Sequence, residues 1–375
     1  MRVFLIVIFI LGGAVTASAQ LLLRGRITDA ATRQPIPYVN IGLVGRGIGT
    51  VSDADGYYEL WVREASPDDL LRISCLGYEP LTQSWEDLPE GPDISFTMRK
   101  GAIALDEVVV SVLPTYTLEE IVGYPLASTR DFAYWKDSLA LGAELASRIR
   151  VSPGTRRLNT LFFNTTSNPA DSVLVRINCY AFPGSGGKPA EPLNKSGQSI
   201  LYTLPGGASE AVVDLMPFDL WVEDDFYLSL ELLAVYGSDE ISLTMPAAAE
   251  SRGATYRRYA SQGEWEKIGA YGVGYALQTT YYTNDPRKAR NRVVERSLKR
   301  SQAPVGGFVF FGRRALEGIR VENLNTREET TSDTRGRYRL LASPGDVLRF
   351  TRPGGDFLIL KIRETGTLTV NLKGM

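Results

Sequence analysis

Short runs in which every second residue is apolar recur along this chain, the period of a strand that buries one face. Tyr38-Val39-Asn40-Ile41-Gly42-Leu43 is one such run, residues 93–98 form another, and Leu368-Thr369-Val370-Asn371-Leu372 ends the chain in the same manner. Residues 23–28 and 69–75 read as further short strands, with a turn-rich loop over 29–37. Beyond residue 145 the runs lengthen: 157–163, 172–180, 211–215, 225–232 and 272–280, parted by Gly/Pro/Ser loops at 183–189 and 205–207. Only 116–145 has a helical flavour, where Leu139, Ala143 and Ala146 approach helical spacing and Gly123, Pro125 and Gly142 interrupt it. The pattern predicts an all-β protein.

One stretch occurs twice. Ser52-Asp53-Ala54-Asp55-Gly56 and Ser332-Asp333-Thr334-Arg335-Gly336 each stand between alternating strands, with Tyr58 and Leu60 matched by Tyr338 and Leu340. Asp folds its carboxylate back onto backbone N–H groups and Gly supplies positive φ, so Asp53, Gly56, Asp333 and Gly336 are expected as structural turn residues. The 67–73 segment is matched by 344–350, which makes the carboxyl end a shortened second copy of the first unit.

Residues Gly25-Arg26-Ile27, Pro37 to Ile41, Thr50 to Leu60 and Leu76-Gly77-Tyr78 together resemble the carboxypeptidase regulatory-like domain, a prealbumin-like sandwich. Such domains precede the plug of TonB-dependent receptors in Gram-negative outer membranes, and Leu105 to Val110 is similar to the segment that follows the domain there. What comes after is too short for a plug and a many-stranded barrel, so a receptor is not expected. The resemblance implies an accessory domain without catalysis.

The expected organisation is a signal peptide at 1–19, a regulatory-like β-sandwich at 20–112, a connector with short helices at 113–144, a jelly-roll-like β-sandwich at 145–283, a basic linker at 284–304 and the second, shortened sandwich at 305–375. The leader reading rests on Arg2, the apolar run from Val3 to Val15 and the A-x-A site Ala17-Ser18-Ala19. No later run is long and apolar enough for a membrane-spanning helix, so the expected location is the periplasm or the outer-membrane surface, or outside the cell.

Composition narrows the chemistry. The chain has 375 residues, a formal net charge of -2 and no histidine, which removes Ser-His and Cys-His dyads and imidazole metal ligands. The charge balance gives no reason to expect nucleic acid as partner. No cofactor is expected. Cys75 and Cys179 read as small buried apolar residues on strands in separate domains rather than as a disulfide.

Three candidate constellations remain. Asp53-x-Asp55-Gly56 resembles part of a calcium loop, but Arg335 replaces Asp55 in the second copy, so the shared property is the turn. Asp219, Asp224 and Asp225, beside Glu223, form an acidic cluster that could hold Ca²⁺ on a sandwich rim, or simply a solvated turn. Trp221, Tyr256, Tyr259 and Trp265 make the middle domain rich in amphipathic aromatics, the residue types that stack on sugar C–H faces, although most such rings serve as core. The leading expectation is a non-enzymatic exported binding or scaffolding protein of the cell envelope, with an envelope protein or a glycan as partner. A carbohydrate-binding accessory component of a glycan-uptake system is the alternative, and a carboxylate-based glycan-active enzyme a third reading.

Overall fold

The computed structural model describes residues 21–101, 116–124, 131–136, 140–184, 187–238, 241–249, 255–269, 271–286, 304–324, 326, 328–342, 346–353, 357–362 and 367–372. The expected leader, the 105–110 segment and most of the expected basic linker lie outside them. Among the described residues the fold is all-β, with 3-10 turns at Trp85–Asp87 and Met216–Phe218 and a helical residue at Pro286 as exceptions.

The first sandwich packs a sheet ordered Tyr57–Val62, Leu21–Asp29, Phe96–Met98 on a sheet ordered Gly49–Val51, Asn40–Leu43, Leu70–Ser74, Leu81–Ser84. Period-two patterning works as expected: Tyr58, Leu60 and Val62 turn inward with Leu23, Ile27, Ile41 and Ile73 while Tyr57 and Trp61 face out. Phe96–Met98 runs parallel to Leu21–Asp29. The last sandwich is wired alike. Pro304–Phe311 pairs with Arg337–Leu341 and, in parallel, with Val370–Asn371; the facing sheet runs Glu329–Thr331, Arg320–Asn323, Val347–Thr351, Phe357–Lys361.

The likeness reaches single hydrogen bonds. Asp53 Oδ1 accepts from the backbone N–H groups of Asp55 and Tyr57 at 2.9 Å, and Asp333 Oδ1 from those of Arg335 and Arg337 at 2.8 Å. Ser52 Oγ accepts from Val39 N at 2.9 Å, and Ser332 Oγ from Ile319 N at the same distance. Gly56 and Gly336 have φ of 75° and 71°, the left-handed region that disfavours any side chain. A Cβ at Gly25 would stand 1.9 Å from the Ile94 carbonyl oxygen, and one at Gly307 1.9 Å from that of Leu368. These two glycines let a neighbouring backbone cross the strand.

The middle domain is a sandwich of two large sheets, with a three-stranded sheet ordered Tyr271–Val273, Ser242–Ala249, Asp131–Lys136 packed on the same core. Its six-stranded sheet runs Ile200–Pro205, Ser172–Ala181, Phe226–Tyr236, Glu144–Ile149, Thr255–Arg258, Glu266–Gly269. The opposing sheet runs Glu210–Asp214, Arg156–Asn164, Tyr275–Thr283, Tyr116–Gly123, with Trp221–Val222 also on Arg156–Asn164. Val173, Val175, Ile177 and Cys179 of the first sheet meet Leu158, Leu161, Phe163 and Leu277 of the second in the largest core.

The expectation of a helical connector is corrected here. Within 113–144 the described residues form two strands, Tyr116–Gly123 along the edge of the five-stranded sheet and Asp131–Lys136 beside Ser242–Ala249. Tyr116, Thr117, Ile121 and Val122 are strand formers, and eight paired positions with Tyr275–Thr283 outweigh a weak helical spacing. Ala146 likewise sits on a strand at the centre of the six-stranded sheet.

The end sandwiches dock on opposite faces of the middle one. Val51 packs with Leu174 and Leu233 on the outer face of the six-stranded sheet, with Tyr38 against the same cluster. Val347 and Ile359 of the last sandwich pack with Phe162 and Ala276 on the outer face of the other sheet.

Candidate functional site

Alternation along the strands of the six-stranded sheet sends apolar residues inward and leaves Arg176, Glu231, Glu144 and Arg258 on its outer face. The register places these four in one row: Arg176 opposite Glu231, Glu231 opposite Glu144, and Glu144 opposite Arg258. The row therefore reads plus, minus, minus, plus across four adjacent strands. Cross-strand neighbours of opposite charge attract, whereas the two central carboxylates repel.

Hydrogen bonds resolve that repulsion. Asn178 Nδ2 donates to Glu144 Oε1 at 2.9 Å and to Glu231 Oε2 at 3.0 Å, bridging the two carboxylates. Glu144 Oε1 also accepts from the hydroxyls of Tyr180, at 2.9 Å, and of Ser229, while Arg258 grips Oε2 with Nε at 2.8 Å and with Nη2. Burial alone would push the Glu144 carboxyl up, but the Arg258 charge and the donors from Ser229, Asn178 and Arg258 together hold it below the ordinary carboxylate range. Burial and the adjacent Glu144 charge push the Tyr180 phenol well up. Glu144 is thus a fixed anion at neutral pH and not a proton donor.

The other end of the row is less satisfied. Arg176 Nη1 meets Glu231 Oε2 at 3.1 Å, and Nη2 reaches across the domain boundary to the carbonyl oxygen of Tyr38. Among the described residues Arg176 Nε and Glu231 Oε1 have no hydrogen-bond partner, although both side chains are more than nine-tenths buried. Tyr38 has φ of 56°, a strained conformation for a bulky residue.

Here the first and middle sandwiches enclose a cleft of about 430 Å³. The first sandwich contributes Asn40, Arg72, Ser74, Cys75 and Tyr78; the middle one contributes Arg176, Asn178, Tyr180, Glu231, Arg258, Ser261, Gln262 and Trp265. Gln262 Nε2 donates to Ser74 Oγ at 2.8 Å and its backbone carbonyl oxygen accepts from Gly45 N at 2.9 Å, tying the two walls together. Trp265 stands edge-on to Tyr180 with centroids 5.8 Å apart, and the Arg258 guanidinium lies 4.5 Å from its ring centre. A guanidinium spread over an aromatic face is an attractive arrangement that fixes the ring.

The four aromatic candidates do not form one row. Trp265 lines the cleft, Tyr256 is buried edge-on to Tyr227, and Tyr259 is exposed with Arg257 4.9 Å from its ring. Trp221 lies on the other sheet against Tyr282 at 5.1 Å. The acidic candidates also separate. Asp225 Oδ2 accepts from the Arg148 guanidinium and Oδ1 from Val151 N, each at 2.9 Å, Asp219 pairs with Arg157 at 3.0 Å, and Asp224 is exposed. No cluster of three metal-ligating side chains occurs among the described residues.

Cys179 is buried in the middle core as expected, and both thiols are free. Cys75 departs from expectation: it lies just past the strand Leu70–Ser74, half-buried in the cleft wall, where burial raises its thiol pKa. A thiol kept protonated is a poor nucleophile.

Sequence reasoning singled out Trp265 but missed the charged row. The signal was available: Arg176, Asn178 and Tyr180 alternate with Val175, Ile177 and Cys179, as Ser229 and Glu231 do with Leu228, Leu230 and Leu232. Charges alternating with core residues on neighbouring strands read equally well as solvated. Only the pairing register and the docked first sandwich distinguish a covered network.

Among the described residues no helix is long and apolar enough to cross a membrane. The TonB-dependent receptor SusC of Bacteroides thetaiotaomicron is 30% identical over 91 residues, which is 24% of this chain and 8% of the receptor. Among solved structures, BcpA, the major pilin subunit of Bacillus cereus, aligns over 95% of this chain and 100% of its own at 10% identity with a TM-score of 0.17. The cysteine protease and lectin-like domains of Cwp84, a surface layer associated protein of Clostridium difficile, align over 66% of this chain and 58% of theirs at 11% identity, TM-score 0.32. Scores this low carry no fold assignment. Residues 23–110, which contain the first sandwich and one wall of the cleft, match the CarboxypepD_reg-like domain family.

Proposed function

We propose that this protein is a non-enzymatic binding protein of the cell envelope, with its recognition site in the cleft between the CarboxypepD_reg-like sandwich and the middle sandwich. One observation carries the reading: the two sandwiches line a cleft of about 430 Å³ with the polar and charged side chains of Arg72, Ser74, Arg176, Asn178, Glu231 and Arg258 beside the rings of Tyr78, Tyr180 and Trp265. The cleft volume falls in the range of roughly 300–1,000 Å³ common for small-molecule sites.

The surroundings support binding over catalysis. The chain has no histidine, Glu144 is held ionised, and Cys75 is held protonated, so the site lacks a matched acid and base. An envelope setting is supported by the likeness of the first ninety or so residues to part of an outer-membrane receptor, together with the leader-like amino terminus. We read the two end sandwiches as copies of one scaffold that brace the middle domain from both faces.

A carbohydrate ligand, and with it a role as accessory component of glycan uptake, is the reading favoured by Trp265 and Tyr78 on the cleft walls. The test is a screen of the full exported chain against a glycan array and against envelope extracts, beside the Trp265→Ala variant. Retention of a specific ligand that this variant loses supports the reading. A ligand held equally by both proteins would place recognition elsewhere.

A further inference from the structure

The two end sandwiches provide an internal comparison of charge. Arg72 on Leu70–Ser74 and Arg349 on Val347–Thr351 hold equivalent places, since Asn40 pairs with Ser74 as Arg320 pairs with Thr351. Arg349 stands opposite Glu322 in that register, and its Nη2 lies 2.5 Å from Glu322 Oε2. Arg72 stands opposite Gly42 and forms no ion pair among the described residues. An acidic side chain has no room there: a Cβ at Gly42 would lie 2.9 Å from the Ile48 carbonyl oxygen and 3.4 Å from Gln262 Cβ of the middle sandwich. The copy that walls the cleft thus leaves its arginine uncompensated, while the other copy neutralises it. From this difference, and resting on the cleft as the recognition site, we propose that the ligand is acidic, a small molecule whose carboxylate or sulfate group meets the arginines of the cleft.

The other charges of the cleft lead the same way. Arg176 and Arg258 join Arg72 in its lining, against the single carboxylate of Glu231. Glu231 is 1% exposed and Glu144, behind Arg258, is fully covered, whereas 14% of the Arg258 side chain is open and Arg72 is exposed. Three guanidinium groups stand against two carboxylates, and the anions are the covered partners, so the charge offered to a ligand is positive. Donors remain as well. Arg258 commits Nε and Nη2 to Glu144 and Tyr180, which leaves both N–H groups of Nη1 without a bond among the described residues. Hydrogen bonds from a guanidinium to an oxyanion are about twice as strong as neutral ones, and a cleft lined by one sign of charge concentrates its field.

The rings place the rest of the ligand. The Arg258 guanidinium lies 4.5 Å from the centre of the Trp265 ring, so an oxyanion held at Arg258 sets its own carbon skeleton beside that ring. Tyr78 donates its hydroxyl to Asp29 Oδ2 at 3.1 Å, which leaves its ring as an apolar surface in the wall. An acidic sugar and the carboxyl end of a short peptide both carry this chemistry.

The experiment is calorimetric titration of the full chain with matched probes. One pair is a disaccharide ending in a neutral hexose and its uronic acid counterpart; the second is the same disaccharide and its sulfate ester; the third is a tripeptide with amidated or free carboxyl end. The expected result is that the acidic member of a pair binds at least tenfold more tightly than its neutral partner, and that its affinity falls as salt rises. The pair that responds distinguishes sugar from peptide. Arg72→Gln should weaken the acidic ligand by about five- to tenfold at unchanged melting temperature, since the exposed Arg72 has no ion pair among the described residues to lose. Neutral probes bound as tightly as acidic ones overturn the inference, as does failure of every acidic probe; neutral binding that Trp265→Ala abolishes overturns the acidic assignment and leaves the cleft as the recognition site. Binding indifferent to both Arg72→Gln and Trp265→Ala overturns the cleft itself.

Discussion

Arg176 holds Glu231 through Nη1 to Oε2 at 3.1 Å, and both keep a buried polar atom with no bond among the described residues. Arg258 treats Glu144 differently: two of its nitrogens close on one oxygen, and the other oxygen takes three donors. The same pairing chemistry is complete at one end of the row and incomplete at the other. Both ends border the cleft, which Arg176 and Glu231 line together with Arg258.

The anchored pair is expected to matter for stability. Glu144→Gln leaves the Arg258 guanidinium buried without its counter-charge, a change that typically costs about 3–5 kcal/mol. Urea denaturation should show that loss, and Glu144→Gln with Arg258→Met should recover part of it, because an apolar pair leaves no stranded charge.

Acid should find the same residue. The Glu144 carboxyl lies below its ordinary value of 4.5 in the folded chain, so the folded state binds its proton less readily than the unfolded one. Its contribution is therefore fully present above about pH 4.5 and fades as the pH falls through the lower folded value. Wild-type stability is expected to drop more steeply below pH 4.5 than that of Glu144→Gln, as followed by denaturation across pH 3–7.

The end sandwiches offer a matched pair of substitutions. Tyr58 donates its hydroxyl to the Ile94 carbonyl oxygen at 2.6 Å, and Tyr338 donates to that of Leu368 at 2.7 Å. Each phenol is pushed up by burial, so loss of the hydroxyl leaves a buried carbonyl unpaired. Tyr58→Phe and Tyr338→Phe should each destabilise by about 1–2 kcal/mol, and the two effects should add because the sites lie in separate domains. Gly25→Ala is expected to cost on the order of 2–3 kcal/mol, since its Cβ has no room beside Ile94 O.

The thiols report on the cleft wall. Cys179 should stay unreactive toward a thiol reagent until the protein unfolds, its pKa pushed up to about 12 by burial. Cys75 should react slowly at neutral pH and faster as the pH rises, and a ligand in the cleft should slow it further. Mass spectrometry after timed labelling distinguishes the two sites.

Much of this molecule was legible as text. Alternation placed the strands at 157–163 and 172–180, and the Ser-Asp-x-x-Gly turn marked both end sandwiches, because a hairpin needs particular residues at particular places. The strands Glu144–Ile149, Ser242–Ala249 and Thr255–Arg258 were not legible: the first carries mixed polar residues, the second holds Pro246 and a run of alanine, and the third is four residues long. Their strand state is imposed by neighbours. For the site, Trp265 could be picked out by type, but nothing local separates it from Trp221, which faces elsewhere. The row from Arg176 to Arg258 depends on register across strands 82 positions apart, and register is a property of the assembled sheet.

Calorimetric binding of a cleft ligand to Trp265→Ala and Trp221→Ala, side by side with the unaltered chain, separates the two tryptophans directly. Loss of affinity by about tenfold or more in Trp265→Ala, with Trp221→Ala unchanged, is the result expected of recognition between the first two sandwiches. Unchanged binding in Trp265→Ala with loss in Trp221→Ala would contradict it and move recognition to the opposite sheet.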